Sequence, residues 1–325
     1  MKEMGIAPGS RVHIVDCTLR EGAQAPGVAF SEQESLDIAR ALDDAGVGTI
    51  EVGHPCASAV EFERVSRIAS AGLRAMILAH ARAAQRDIEA VARTGASAVG
   101  IFVGVNALSQ AVRLRRDEAD ILSMIDDSVR FARRLGLAVR LTVEDASRTE
   151  YDALRRAYTV ALEAGADRIC FADSVGVMTP FEVTRRIGEL RLCFPGVALE
   201  VHFHDDRGLA MANALAAVAA GATHVSCAVN GVGERCGVTD TASLAANLAY
   251  EGADSGMRLA AVASLSRLVA TCTSCAPDVR RPVTGRHAFV HTSRLHVLAV
   301  ERNRTAYEWI DPAWLGFAET GEQRV

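Results

Sequence analysis

Lysine is almost missing from this chain of 325 residues. Lys2 is the single lysine, and every other basic residue apart from the histidines is an arginine. Catalysis through a Schiff base, in an aldolase or with pyridoxal phosphate, requires a buried lysine amine with a lowered pKa. The sequence therefore excludes lysine-dependent imine chemistry.

Other features are scarce as well. No apolar run approaches the ~20 residues of a membrane span, and no charged segment followed by an apolar one opens the chain. The net charge is −5 and the arginines are scattered, which argues against nucleic acid or an anionic membrane as a partner. The eight cysteines are dispersed, and the lone Cys272-Thr-Ser-Cys275 lacks the second pair of a zinc site. We expect a cytoplasmic globular protein without a disulfide framework.

A repeated unit runs through most of the chain. A glycine closes a helical pattern and a short β-rich run follows it, as in DDAGVGTIEVG and EAGADRICFAD. With the opening RVHIVD, the pattern predicts eight strands, at about 12–16, 47–52, 74–79, 98–103, 138–143, 167–172, 197–204 and 223–229. Eight alternations of strand and helix favour a (β/α)8 TIM barrel over an open doubly wound sheet, which usually has fewer strands and a glycine-rich nucleotide motif.

The repeated unit ends near residue 280. We predict a catalytic barrel domain over 1–280 and a short arm or subdomain over 281–325. The second segment holds both tryptophans and three histidines. Segments rich in aromatic residues usually bind another protein surface, so we expect a homodimer.

Polar side chains follow seven of the eight predicted strands. In a barrel of this kind the carboxyl ends of the strands form the catalytic face. The residues are Asp16, Glu51, His80, Glu144, Asp173, the pair His202 and His204, and Asn230. Asp16 and Asp173 could instead cap helices or hold loops. Together the seven positions indicate an active site.

The segment VHFHDDRG suggests one half of a metal site. His202 and His204 are two positions apart, so on a strand they share one face. Glu21 adds a carboxylate and completes a set of two histidines and one carboxylate with open positions for zinc, magnesium or manganese. Arg20 beside it carries a permanent positive charge. A divalent metal ion next to a guanidinium suits an anionic substrate that develops oxyanion character, such as a 2-oxo acid.

Three motifs in this order resemble those of one enzyme family. DCTLREGAQ, VHFHDDRG and VNGVGERCG are similar to the Claisen-condensing branch of the DRE-type metal-dependent barrels, which holds the homocitrate, isopropylmalate and citramalate synthases. The resemblance covers about residues 11–316. It implies that acetyl-CoA, as co-substrate, is joined to a 2-oxo acid and that the thioester is then hydrolysed. It implies a metal site of Glu21, His202 and His204, with Asn230 as a fourth candidate.

The resemblance also implies catalytic roles. Arg20 would stabilise the enolate and the developing alkoxide. His296 would deprotonate the acetyl methyl group, with Glu144 and Tyr307 as its partners. If the arm crosses to a neighbouring subunit, as the resemblance implies, His296 serves the barrel of that subunit. The implied substrate-binding residues are Gln24, His80, Arg82, Arg148 and Ser174.

The nature of the oxo acid follows from further segments. The Arg-Glu pair, EVGHP and LAHARAAQRDIE resemble homocitrate synthases, so we expect a doubly anionic substrate, 2-oxoglutarate foremost. An apolar oxo acid would leave His80 and Arg82 without partners. Arg294 departs from the family arm, which usually has glycine there, and an added arginine would suit oxaloacetate or phosphonopyruvate.

Two alternatives to a synthase remain. The protein could be a metal-dependent lyase or aldolase, or a non-catalytic paralogue.

Overall fold

The structure is a computed structural model and describes residues 5–317, so Lys2 lies outside the described part. The strands are β1 His13–Asp16, β2 Thr49–Glu51, β3 Met76–Arg82, β4 Ala98–Gly104, β5 Ala138–Glu144, β6 Arg168–Asp173, β7 Ala198–Phe203 and β8 His224–Cys227. The helices are α1 Glu32–Asp44, α2 Ala59–Ala69, α3 Gln85–Thr94, α4 Glu118–Arg134, α5 Tyr151–Glu163, α6 Pro180–Cys193, α7 Ala210–Ala219, α8 Thr241–Tyr250, α9 Val262–Thr273 and α10 Arg294–Arg302.

The strands close into a parallel barrel in chain order, from β1 to β8. Closure occurs between β1 and β8, where His13 lies opposite His224. This arrangement confirms the predicted TIM barrel. Most predicted strands agree with the observed ones within two residues; β3 is the exception, since it continues to Arg82.

Local signals in the sequence explain where the helices begin and end. The Ser31 hydroxyl accepts the Glu34 N–H at the start of α1, and the Glu34 carboxylate accepts the Ser31 N–H at 2.8 Å. α6 begins with the same reciprocal pair. α3 ends at Thr94 and is capped by Gly95, whose φ of 81° is left-handed. Such caps satisfy backbone groups that a helix end leaves unpaired.

Side chains on each strand alternate between two environments. On β6, Ile169 and Phe171 join the apolar core beneath the helices. Arg168 and Cys170 point the other way, into the interior of the barrel, where they line cavities. This alternation follows from the two-residue period of a strand. It also brings the inward residues of all eight strands together along one axis.

The described part of the arm, residues 281–317, packs against the barrel and shares its core, and residues 318–325 lie outside the described range. Val283, Phe289, Ile310 and Leu315 belong to the same buried apolar cluster as the strands and helices. The domain boundary at residue 280 therefore stays a prediction. Both tryptophans of the arm are more than 40% exposed.

Within residues 5–317, every helix is too short or too polar to cross a membrane.

Candidate active site

Three predicted metal ligands lie together at the carboxyl end of the barrel. Glu21, His202 and His204 are buried, and their ligand atoms lie within 4.8 Å of one another. The Nε2 atom of each histidine is 3.9 Å from a carboxylate oxygen of Glu21. Glu21 follows β1, His202 lies in β7 and His204 directly follows β7, so barrel closure joins residues that are 181 and 183 positions apart in the chain.

The protonation and orientation of these groups fit a divalent cation. The Nδ1 atom of His202 lies 2.9 Å from the Ser226 hydroxyl, which leaves Nε2 to face Glu21. Nδ1 of His204 is buried without a hydrogen-bond partner in the described residues. Burial lowers the pKa of both histidines, to about 3 for His202, so both are neutral near pH 7. A metal requires neutral imidazoles and an ionised carboxylate.

Glu21 meets the second requirement. Burial, the largest single effect, raises the pKa of its carboxyl group, but the Arg20 guanidinium and several smaller interactions together outweigh it and lower this pKa to about 2. The Glu234 backbone N–H also donates to Glu21 at 3.1 Å. Glu234 belongs to the glycine-rich loop after β8, so that loop helps to position the carboxylate.

A chain of buried charges continues from this cluster into the barrel. Arg20 contacts both Glu21 and Glu51. Arg140 bonds Glu51 and donates to Glu200 at 2.8 Å. The chain ends at Arg168, whose Nε atom is 3.1 Å from Glu200. Three guanidiniums thus balance three carboxylates in a site of low exposure.

Sequence reasoning missed Arg140, Glu200 and Arg168. The available signal was a charged residue at an inward position of a strand that is otherwise apolar, as in AVRLTVE and ALEVHF. A charge buried there needs a partner, because an isolated buried charge is very costly.

Several predicted residues line one cavity of about 370 Å³ above these charges. They are Arg20, Gln24, His80, Glu144 and Ser174, together with the three ligand candidates. His80 accepts a hydrogen bond from Arg140 at 2.8 Å and stacks on Phe102. Burial lowers the pKa of His80 well below its usual range, so its ring is neutral. Glu144 also pairs with Arg113 at 3.0 Å.

Three other predicted residues do not line this cavity. Arg82 donates twice to Asp87, at 2.6 and 2.9 Å. Arg148 is held in the same way by the Asp145 carboxylate. The Asn230 amide exchanges hydrogen bonds with Ser266 on α9, at 2.9 and 2.6 Å. Their implied roles stay predictions to which this placement adds no support.

The predicted base and its tyrosine lie in the arm. The rings of His296 and Tyr307 stack with centroids 4.0 Å apart, and His291 is 6.4 Å from each. Neither ring lines the cavity that holds Glu144. A single chain therefore brings His296 and Tyr307 together but does not place either ring in the lining of the cavity that Glu144 shares with the ligand candidates.

Asp16 and Asp173 each hold a loop in place, which is the role that the sequence allowed for them instead of direct participation in the active site. Asp16 accepts the Thr18 N–H at 2.9 Å and the Thr241 hydroxyl at 2.8 Å. Asp173 accepts the backbone N–H groups of residues 177 and 178. These bonds fix the loops that carry the active-site residues after β1 and β6.

The fold and this site define a TIM barrel with a candidate centre of two histidines and one carboxylate beside buried arginines. Residues 11–269 match the model of the HMGL-like family, and the chain belongs to that family. Homocitrate synthases from Sulfurisphaera tokodaii and Saccharolobus solfataricus are each 36% identical to it over 310 residues, which cover 94% of this chain and 67% of those proteins. These relatives confirm the resemblance to homocitrate synthases and the prediction of a transferase enzyme.

Solved structures share the fold. The HMG-CoA lyase of Bacillus subtilis superposes with a TM-score of 0.74 at 19% identity, over 82% of this chain and 96% of that one. The HMG-CoA lyase of Brucella melitensis gives a TM-score of 0.74 at 20% identity, over 82% of this chain and 100% of the other. At such identities the likeness establishes the barrel and leaves the reaction open.

Proposed function

We propose that the protein condenses acetyl-CoA with a doubly anionic 2-oxo acid, 2-oxoglutarate foremost. The acetyl methyl group loses a proton, and its carbon bonds to the keto carbon while the keto oxygen gains a proton. Water then cleaves the thioester and releases CoA. From 2-oxoglutarate the product is homocitrate. The observation that supports this most is that Glu21, His202 and His204 lie beside Arg20 and the buried Arg140 at one cavity.

Glu21, His202 and His204 would hold the divalent cation. When bound, such an ion polarises a keto group and stabilises the negative charge that forms on its oxygen. Ser226 fixes the ring of His202 through Nδ1 and keeps Nε2 directed at the ligand position. Arg20 adds a permanent positive charge beside Glu21, where an oxyanion would form.

The buried donors favour a second negative group on the substrate. Arg140 lines the cavity, and its Nε–H has no hydrogen-bond partner in the described residues. The Thr142 hydroxyl, on the same strand and in the same cavity, is also without one. Neither atom has accessible surface, so a carboxylate bound above them would be attracted by the charge of Arg140 without a direct hydrogen bond, whereas an apolar side chain would gain nothing from that charge.

The base would come from a second copy of the chain. Removal of a thioester α-proton needs a base near neutral pKa and a stabilised enolate. His296 and Tyr307 are already stacked, but they do not reach the cavity of their own barrel. In a homodimer with crossed arms, the pair would meet Glu144 of the other subunit.

A thiol-release assay tests the reaction. Purified protein with acetyl-CoA and a divalent metal is given 2-oxoglutarate, oxaloacetate, phosphonopyruvate or 2-oxoisovalerate. We expect free CoA with one of the doubly anionic acids, loss of activity in His202→Ala, and no change in the control His287→Ala, an exposed arm histidine. Absence of thiol with all four acids would refute the proposal. Cleavage of a hydroxy acid without acetyl-CoA would indicate that the protein is a metal-dependent lyase or aldolase. Binding of metal and oxo acid without turnover would indicate a non-catalytic paralogue.

Mixing two inactive variants tests the crossed arm. Glu21→Ala lacks a metal ligand and His296→Ala lacks the base, so each homodimer is inactive. After mixing and reassociation, half of the dimers would be mixed, and each of these would carry one intact site. We expect recovery of about a quarter of the wild-type activity. If no activity returns although mixed dimers form, the base belongs to its own barrel.

A further inference from the structure

A second cavity opens at the opposite end of the barrel, where the strands begin. Its volume is about 320 Å³, and we call it the amino-terminal cavity. Bulky branched side chains usually fill the interior of a TIM barrel. Here the inward positions at the start of β4 and β5 are Ala98 and Ala138, and β2 contributes Thr49. The space exists because these side chains are small.

Arg168 points into this cavity. The residue is only 8% exposed, and its Nε atom lies 3.1 Å from Glu200 on the active-site side. Within residues 5–317 its two Nη groups form no hydrogen bond. These Nη groups keep accessible surface on the cavity, so their donors are free to bind an acceptor there.

Two histidines stand beside Arg168 in the lining. His13 and His224 are register partners across β1 and β8, and their rings stack with centroids 4.5 Å apart. The His13 ring forms no hydrogen bond with any residue in the described range, and it is exposed at the rim. Nδ1 of His224 bonds the Thr223 hydroxyl at 2.9 Å, which leaves its Nε2 unused.

The nearby carboxylates already have partners. Asp167 lines the cavity, but it accepts the Val139 N–H at 2.7 Å and Arg133 at 3.0 Å. Asp254, outside the lining, is paired with Arg11. The cavity thus offers Arg168 and two imidazoles. Arg140 also lines it, but its Nη groups already bond Glu51, Glu200 and His80. A metal ion would be repelled by Arg168, and an apolar ligand would leave its donors unpaired.

We propose that the amino-terminal cavity binds a small doubly charged oxyanion, such as inorganic phosphate, between Arg168, His13 and His224. The guanidinium fork matches two oxygens of a phosphate, and each neutral imidazole can donate its one N–H to another oxygen. The site lies outside the proposed catalytic cavity, so the proposal is independent of the reaction.

Titration of the full chain with inorganic phosphate, followed by calorimetry in a chloride buffer, tests this site. We expect saturable binding that weakens about tenfold in Arg168→Lys, which keeps the charge near Glu200 but loses the fork. His13→Asn, at an exposed position, should weaken binding by a similar factor. Ala138→Leu should abolish it by filling the cavity, and the control His287→Asn should bind as the wild type does.

The active-site cavity also holds arginines, so the location must be determined. A crystal soaked in selenate should show an anomalous peak between Arg168 and His13. A peak confined to the cavity of Arg20 and Arg140 would overturn the proposal. So would phosphate affinity that is unchanged in both His13→Asn and Ala138→Leu, since neither variant alters the active-site cavity.

Discussion

Replacement of Arg140 by methionine tests the buried charge network most severely. Arg140 is 3% exposed and lies between the carboxylates of Glu51 and Glu200, which are both fully buried. Methionine fills a similar volume but cannot donate a hydrogen bond. Glu51 would keep Arg20 as a partner, whereas Glu200 would keep only Arg168, at 3.1 Å.

The expected loss follows from the charge that is left behind. Removing one partner of a buried ion pair costs about 3–5 kcal/mol, because the remaining charge stays desolvated and uncompensated. For a chain of this length, that loss lowers the melting temperature by about 4–7 °C. Adding Glu200→Gln to Arg140→Met removes the carboxylate that has lost its main partner, but Arg168 then loses its own partner, so the double variant should recover only part of the lost stability.

Urea unfolding followed by circular dichroism measures these differences. Arg130→Met is the matched control, since Arg130 makes an exposed pair with Asp126 on α4 and should leave the unfolding free energy unchanged. If Arg140→Met is as stable as the wild type, the network does not compensate its charges in the way we describe. An additive effect of the two substitutions would also refute the coupling between Arg140 and Glu200.

Three further predictions concern other parts of the chain. Burial, Arg168 and His13 lower the pKa of His224 to about 3, so between pH 7 and pH 5 the unfolded chain binds a proton that the folded chain does not. The unfolding free energy should therefore fall by about 2 kcal/mol over that range. Urea titrations of His224→Asn should lack this part of the pH dependence. In Gly237→Ala a Cβ would lie 1.9 Å from the Gly231 carbonyl oxygen, so the loop that positions Glu21 must shift and the rate of thiol release should fall at least tenfold. Wild-type turnover of this variant in a kinetic assay would contradict the prediction. Ser31→Ala removes the cap of α1 and should cost about 1 kcal/mol in thermal unfolding, with no change in turnover.

The barrel was predictable because its signals are local. Glycines that end helices and apolar runs that follow them recur in each unit, and closure then brings the ends of all strands to one face. His202 and His204 were assigned to one face from their spacing alone, and Glu21 joined them because it follows a strand of the same barrel. Such inferences need the strand order but no packing detail.

The partners of long polar side chains were not predictable in this way. Asn230 and Arg82 matched positions in known motifs, yet Ser266 and Asp87 hold their side chains. Ser266 is 36 residues from Asn230 and lies on a different helix, so no local pattern points to it. Arg140 escaped notice for the same reason, because its partners come from β2 and β7 and depend on the register of the closed barrel.

Metal content measures the central claim most directly. Protein purified without chelator, or reloaded with zinc, manganese or magnesium, should contain about one divalent ion per chain by mass spectrometry. His202→Ala and His204→Ala should each bind it at least tenfold more weakly, whereas the control His287→Ala should keep a full equivalent. Stoichiometric metal that persists when Glu21, His202 and His204 are all replaced, or a folded wild-type protein that takes up none of the three metals, would contradict the account.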